Sequence, residues 1–358
     1  MEDSANKSKF SAGFHKYVTS GKILRDQPKI DMTTLASVSL EMMFNSTVLA
    51  VGTGFFWRVA GGISLVTAWH NLSGMHHTKR VYMRRDGGFP NFIKIKYTSK
   101  VPQIFQEQTI PLYFDDEMSQ PRWFVHPTCG NFFDVAALLL IFNDHDVVCV
   151  NDLCENTTEH ILPGSDVFAI GFPQGISSLG VIPVWKRGSL ATEIDLPTDA
   201  HPKFLIDLAG RGGLSGAPVY RIQRGVVIDQ INGNRQFGLG NKTEFLGLYS
   251  GRAADQLPPE TRTGESSDLG FVWRSEIIAE VVASTEIDEK PEIGKGELTV
   301  TPIWENMSAD AMKAVKQNAT YSFGREVAGH VAAGIYGQGE LATMNFSDIK
   351  DRLEKDKM

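Results

Sequence analysis

The chain has 358 residues, 35 Lys and Arg against 42 Asp and Glu, a formal net charge of −7 and 42% hydrophobic residues. This length predicts roughly two domains or one large all-β unit with additions, and the acidic balance without a basic stripe argues against nucleic acid as a partner. The first residues carry no apolar signal stretch, no run is long and apolar enough to span a bilayer, and Cys129, Cys149 and Cys154 are odd in number; a cytoplasmic protein with no membrane contact and no disulfide framework is expected.

Residues 1–33 are polar, Lys-rich and aperiodic, and read as an N-terminal extension without chemistry. Short apolar or alternating runs then follow, broken by Gly, Pro, Asn and Asp. They predict strands at 37–43, 47–51, 54–59, 63–67, 80–84, 135–142, 166–170, 186–191, 203–207, 217–221, 225–231, 243–249 and 269–273. So many strands suit two barrels, joined somewhere within 149–164, better than one sandwich.

Within the first set, Gly52-Thr53-Gly54-Phe55-Phe56 and Leu65-Val66-Thr67-Ala68-Trp69-His70-Asn71 read as a glycine-punctuated hairpin whose second strand runs out onto a histidine. An imidazole held there suits a general base, because its pKa lies near neutrality. Phe132-Phe133-Asp134-Val135-Ala136-Ala137-Leu138-Leu139 sets one carboxylate at the head of an apolar strand. A charge in such company is costly unless paired, and an acid of this kind can fix a histidine tautomer. Asp144-His145-Asp146 and His76-His77 are metal-binding residue types at no recognised ligand spacing; they read as solvated loops, and neither a metal nor a cofactor is expected.

In the second set, Gly210-Arg211-Gly212-Gly213-Leu214-Ser215-Gly216-Ala217-Pro218-Val219-Tyr220 is the most informative segment. Glycines on both sides of one serine permit a tight turn that exposes the hydroxyl as a nucleophile. The same turn aims the N–H groups of Gly213 and Ser215 at the oxyanion formed on an attacked carbonyl. Taken singly, each segment has an ordinary structural reading: a plain turn, a packed histidine, a capping carboxylate. Beyond the strands, Ser275 is the expected N-cap of a helix over 276–284, where Ile277, Ile278, Val281 and Val282 repeat at helical spacing. Residues 285–297 read as an acidic linker containing Pro291. A possible strand at 298–304 and helices near 308–318, 325–336 and 347–357 make up a small, partly helical C-terminal appendage, so that 285–358 stands apart from the core.

With His70, Asp134 and Ser215 in this order, and with Ala169-Ile170-Gly171-Phe172-Pro173 and Phe245-Leu246-Gly247-Leu248-Tyr249-Ser250-Gly251 flanking them, residues 34–284 resemble the trypsin-like (chymotrypsin-fold) serine peptidase superfamily. They are nearest in style to leaderless bacterial and high-temperature-requirement-type members. The resemblance implies an all-β, chymotrypsin-like double six-stranded β-barrel with a terminal helix. It also implies a serine endopeptidase in which Ser215 is the nucleophile, His70 the general base and acid, and Asp134 its orienting carboxylate, with Gly213 and Ser215 as the oxyanion hole. A protein or peptide substrate would lie along the strand of Ser250 by β-augmentation. By the same resemblance Ala209 floors the specificity pocket, and Gly210, Tyr249, Gly251 and Gly270 wall it. No acid stands among them, which disfavours Lys and Arg and leans towards uncharged, small to medium apolar side chains; Arg211 and Arg252 at the mouth are the weaker, acid-admitting option.

The sequence departs from zymogen-activated relatives at Leu214, where those carry an aspartate. Activity without amino-terminal cleavage is therefore expected, and ordering of the Gly213 peptide is assigned to the appendage, the extension or an activating partner. The alternative from another class is a protease-like fold kept as a binding or scaffold module. An α/β-hydrolase reading fails on the order of its triad and on the missing G-x-S-x-G elbow.

Overall fold

In the computed structural model, residues 30–60, 62–99, 105–140, 147–154, 161–198, 201–231, 234–253 and 268–289 are described, those of 226–239 by their backbone alone. The expected elements of the appendage, the extension up to residue 29 and Asp144-His145-Asp146 lie outside them. After a short helix, α1 (Met32–Ala36), capped by the Asp31 carboxylate, the chain enters the hairpin of β1 (Ser37–Phe44) and β2 (Thr47–Val59). Asn45 makes its turn at φ 53°, a conformation asparagine tolerates. The pleat then decides the cores: consecutive side chains of β2 point to opposite faces, so Phe56 packs inside the first sheet while Phe55 packs against the second body.

That first sheet is antiparallel, with β3 (Gly62–Thr67), β4 (Phe92–Thr98), β5 (Phe105–Pro111), β6 (Trp123–Phe124) and β7 (Ala136–Leu140) in the order β5-β4-β1-β2-β3-β7-β6. The second body is a closed six-stranded barrel of β8 (Asp166–Gly171), β9 (Val184–Leu190), β10 (Lys203–Asp207), β11 (Ala217–Ile231), β12 (Asn234–Arg252) and β13 (Leu269–Arg274), ordered β10-β13-β12-β11-β8-β9. The all-β architecture expected of a chymotrypsin-like double barrel is thus what the chain adopts, with seven strands rather than six paired in the first body. Helices are few among the described residues: besides α1 there are α2 (Trp69–Ser73), α3 (Val150–Leu153), α4 (Ser275–Val282) and the 3-10 turn Pro173–Gly175, and no helix there is long and apolar enough to cross a membrane.

Several boundaries differ from expectation for physical reasons. Gly52 pairs with Leu40 instead of breaking the chain, so the strands expected at 47–51 and 54–59 are one. Gly225 likewise pairs with Gly240, which joins 217–221 to 225–231. The stretch 80–84 contributes only a single bridge, Met75 to Tyr82. Three strands were not anticipated. Of these, β4 has an alternation that was legible, with Ile93, Ile95 and Tyr97 buried between Lys94 and Lys96. Ser275 opens α4 as its first residue; the N-cap position is Arg274, which makes no side-chain capping bond.

The largest surprise follows α4. Residues 285–288, read as the start of a linker, run alongside β6: Val125 N–H donates to Glu286 O at 3.0 Å, Ile287 bridges Phe124, and Asp288 N–H donates to Trp123 O at 3.1 Å.

Candidate active site

β3 ends at Thr67, and Ala68, in extended conformation, starts α2. His70 therefore sits in the first turn of a five-residue helix, where a strand end was expected. Trp69 and Leu72 anchor that helix in the core of the first sheet, leaving His70 between them at the surface of the core. Its backbone N–H donates to Asp134 Oδ1 at 2.9 Å, and its Nδ1 lies 3.0 Å from Oδ1 and 2.8 Å from Oδ2. An ionised carboxylate only accepts, so Nδ1 carries the ring proton and the lone pair of neutral imidazole falls on Nε2.

Asp134 is 1% exposed, between buried Phe133 and Val135. Burial alone would raise its pKa; the nearby His70 and His77, with hydrogen bonds from His70 and Ser250, outweigh burial and bring it down to about 2. Ser250 Oγ is a donor to Oδ2. His77, read as part of a solvated loop, is instead 6% exposed, with Nδ1 4.0 Å from Asp134 Oδ2. Its ring stacks on His76 and meets Trp273 edge-on. Burial lowers its pKa to about 4 against the attraction of Asp134, so it is neutral at pH 7.

The Ser215 turn rests on the first sheet through backbone groups. Thr53 N–H and Asn71 Nδ2 both donate to Ser215 O at 3.0 Å, and Thr53 Oγ1 donates to Gly213 O at 2.7 Å. Asn71 is the neighbour of His70, so one short helix carries the imidazole and also touches the serine. Gly216 has φ +88°, and a Cβ there would stand 2.0 Å from Thr53 O, so only glycine fits this close approach. Leu214, at the position that set this chain apart in the sequence, is fully buried in the barrel core and anchors the turn by packing.

Gly212 O accepts from Gln174 N–H at 2.6 Å. In a trans peptide the next N–H points the opposite way, so this bond turns the Gly213 amide away from Gln174. Among the described residues the peptide is held by Gln174 in the 3-10 turn Pro173–Gly175 and by Thr53 in β2; the appendage and the extension up to residue 29, expected to contribute, lie outside the described residues. Neither the Gly213 nor the Ser215 amide donates to a protein acceptor among the described residues. The Ser215 hydroxyl itself donates to Ser250 O at 3.0 Å and makes no hydrogen bond to His70. Ser250 therefore links the parts, its hydroxyl on Asp134 and its carbonyl on Ser215. Around them stand the remaining expected positions: Ala209 half-buried, Gly210 and Tyr249 buried, Gly251 opening on free space, and exposed Arg211 folded back with Nη1 2.9 Å from Gly210 O.

The pairing of β11 with β12 starts at Ala217 opposite Tyr249, so Ser250 and Gly251 lie beyond it, next to the serine. Sequence reasoning missed Asp288. Its carboxylate, 4% exposed, accepts from Trp69 Nε1 at 2.6 Å, Trp123 Nε1 at 2.9 Å and Asn131 Nδ2 at 2.6 Å, with Arg80 over the Trp69 ring at 5.2 Å. Within Thr285-Glu286-Ile287-Asp288-Glu289 nothing distinguishes this acid from its neighbours, so no local signal marked it. Thr53, Asn71 and His77 were also missed as parts of the site, although the first two lie inside the motif that carried His70. Among the described residues no group of three or more His, Cys, Asp or Glu side chains could hold a metal ion.

No protein-family model matches the chain. No curated protein matches it either. Solved structures similar to the chain include the inactive form of the Rv3671c protease of M. tuberculosis, 16% identical with a TM-score of 0.38, the match covering 70% of this chain and 89% of that one. Another is the serine endoprotease from Yersinia pestis, 14% identical with a TM-score of 0.39, covering 72% of this chain and 66% of that one.

Proposed function

We propose that the chain is a serine endopeptidase that cleaves peptide bonds through an acyl-enzyme on Ser215. One observation carries the reading: a buried carboxylate–imidazole couple shares a hydrogen-bonded network with a serine in whose turn the Gly213 and Ser215 amides donate to no protein acceptor among the described residues.

Asp134 stays ionised at neutral pH and holds the Nδ1 proton of His70, which leaves Nε2 as the base. Ser215 first swings about χ1 from Ser250 O towards His70, one staggered well to another. Apo hydrogen bonds at such sites commonly tighten only when substrate is present. As Oγ bonds to the carbonyl carbon, its proton passes to Nε2 and the carbonyl π pair moves onto oxygen. The Gly213 and Ser215 amides then donate to that oxyanion, each worth on the order of 3 kcal/mol. Imidazolium next protonates the leaving nitrogen as the C–N bond breaks, and a water repeats the sequence to split the ester. An extended substrate finds its backbone partner at Ser250 and Gly251, beyond the last residue of β12 that β11 pairs.

The rest position of the hydroxyl favours a second reading, a protease-like binding or scaffold module with an unused triad. A fluorophosphonate probe separates the two. The peptidase reading expects a single adduct, mapped by mass spectrometry to Ser215 and lost in Ser215→Ala. Folded protein that never labels, with or without peptide present, would leave the scaffold reading standing.

A further inference from the structure

Beside Ser215 three backbone segments run together. Gly216 N–H donates to Tyr249 O at 2.8 Å, Tyr249 stands opposite Val272 in β13, and Leu208 N–H donates to Asp268 O at 2.9 Å, which brings the start of the serine loop against the start of β13. On the two flanks of the Tyr249 side chain the residues are glycines, Gly210 in the loop and Gly270 in β13. A Cβ at Gly210 would come within 2.0 Å of Tyr249 Oη, and one at Gly270 within 2.4 Å of Cε2. The ring thus occupies the volume that two missing side chains leave, and it is 1% exposed, packed with Leu214, Ala217 and Val272 in the barrel core.

Because Gly216 N–H donates to Tyr249 O and the loop of Gly210 also carries the Gly213 amide, the first side chain on the acyl side of a bond attacked by Ser215 would, on the peptidase reading, be directed towards this volume. Interiors are packed to near-crystalline density, and a ring held between two glycine backbones has no empty space to move into. A second large side chain cannot share the recess.

We propose that Tyr249 is the specificity-determining residue of this chain, filling the recess beside Ser215 from within so that the residue contributing the cleaved carbonyl must be Gly, Ala or Ser. This narrows the sequence expectation of small to medium apolar side chains, and it rests on the peptidase reading above. Arg211 does not alter it, because its guanidinium is engaged with Gly210 O of its own loop.

The experiment measures kcat/KM on a peptide series varied only at that residue, for wild type, Tyr249→Ala and the bulkier Tyr249→Leu, with fluorophosphonate labelling of Ser215 run on each protein. Wild type is expected to cleave after Ala at least about tenfold faster than after Leu or Phe, the scale set by one or more excluded methylenes. Tyr249→Ala, or Tyr249→Leu if the first variant does not fold, is expected to gain about tenfold on Leu or Phe relative to Ala. Wild type that labels at Ser215 yet prefers Leu or Phe overturns this inference and leaves the peptidase reading intact. So does a folded, labelling Tyr249 variant whose preference is unchanged. Absence of labelling in wild type removes the peptidase reading, and this inference with it.

Discussion

The first sheet holds its half of the site with side chains, the barrel holds its half with backbone. On the sheet, His70, His77, Asp134 and Asp288 are titratable groups in or against the core; hydrogen bonds between side chains and from two indoles fix His70, Asp134 and Asp288, and ring contacts with His76 and Trp273 fix His77. On the barrel, the Ser215 turn is pinned by carbonyl groups of Gly212, Gly213 and Ser215, by positive φ at Gly213 and Gly216, and by buried Leu214, with no charged side chain among these pinning residues. The difference teaches where each half is vulnerable. Protons and charge reach the sheet half. Only added volume reaches the barrel half.

The bluntest way to break the comparison is Ser215→Ala, which removes the proposed nucleophile and leaves the scaffold of both halves. Peptide hydrolysis should fall by about 10⁶-fold in kcat with unchanged thermal unfolding. Asp134→Asn strikes the sheet half at its charge: the amide offers His70 the wrong tautomer, and kcat should drop by about 10⁴-fold with KM little changed. A loss confined to KM would show that Asp134 does not orient the base.

Gly213→Ala attacks the barrel half by volume alone, since its Cβ would stand 2.5 Å from Phe172 O at φ +90°. One of the proposed oxyanion donors is displaced, so kcat should fall by about 10²–10³-fold, with the pH–rate profile keeping its shape. A shifted profile would contradict the division between charge and volume.

Protons sharpen the comparison next. His77 has its folded pKa lowered from 6.5 to about 4, so between those values the unfolded chain binds a proton that the folded chain does not. Stability should fall as pH is lowered from about 6.5 to 4, by up to about 3 kcal/mol. Asp134, lowered to about 2, contributes stability that is present above about pH 4 and lost as pH falls further towards 2. The two windows adjoin without overlapping. His77→Gln should flatten the upper one and narrow the lower, because His77 helps hold the Asp134 pKa down, as read by urea unfolding across pH; an unchanged slope between about pH 6.5 and 4 would rule His77 out as the source of the upper window.

The smallest effect belongs to Asp288→Asn, which keeps an oxygen for the indoles of Trp69 and Trp123 but loses the charge. Less than about a tenfold loss in kcat is expected, because Trp69 adjoins His70 on α2. An unchanged kcat with a lowered midpoint of urea unfolding would assign Asp288 to packing alone.

How much of this was legible follows the same division. Glycines around Ser215 announced the barrel half, because a turn that needs positive φ and a close backbone approach writes itself as glycine in the sequence. The all-β fold was legible through alternation, and β4 would have been found by the same test applied between residues 92 and 98. The sheet half was legible only at His70 and Asp134. His77 looked polar and therefore solvated, but it is neutral and packed against Asp134 and Trp273. Asp288 is invisible because its meaning comes from Trp69, 219 residues earlier, and no local pattern encodes a contact at that separation.

That separation also sets a timetable. The strands of the first sheet all lie before residue 141, yet the segment that lines its outer edge and ties down Trp69 is drawn from residues 286–288. Contacts this remote along the polymer form late, and a nascent chain exposes them only once its end has been made. Until residue 288 emerges and docks, His70 stands on a helix whose tryptophan has no carboxylate to hold its indole, so a product released early would carry His70, Asp134 and Ser215 yet lack one of the ties on that helix.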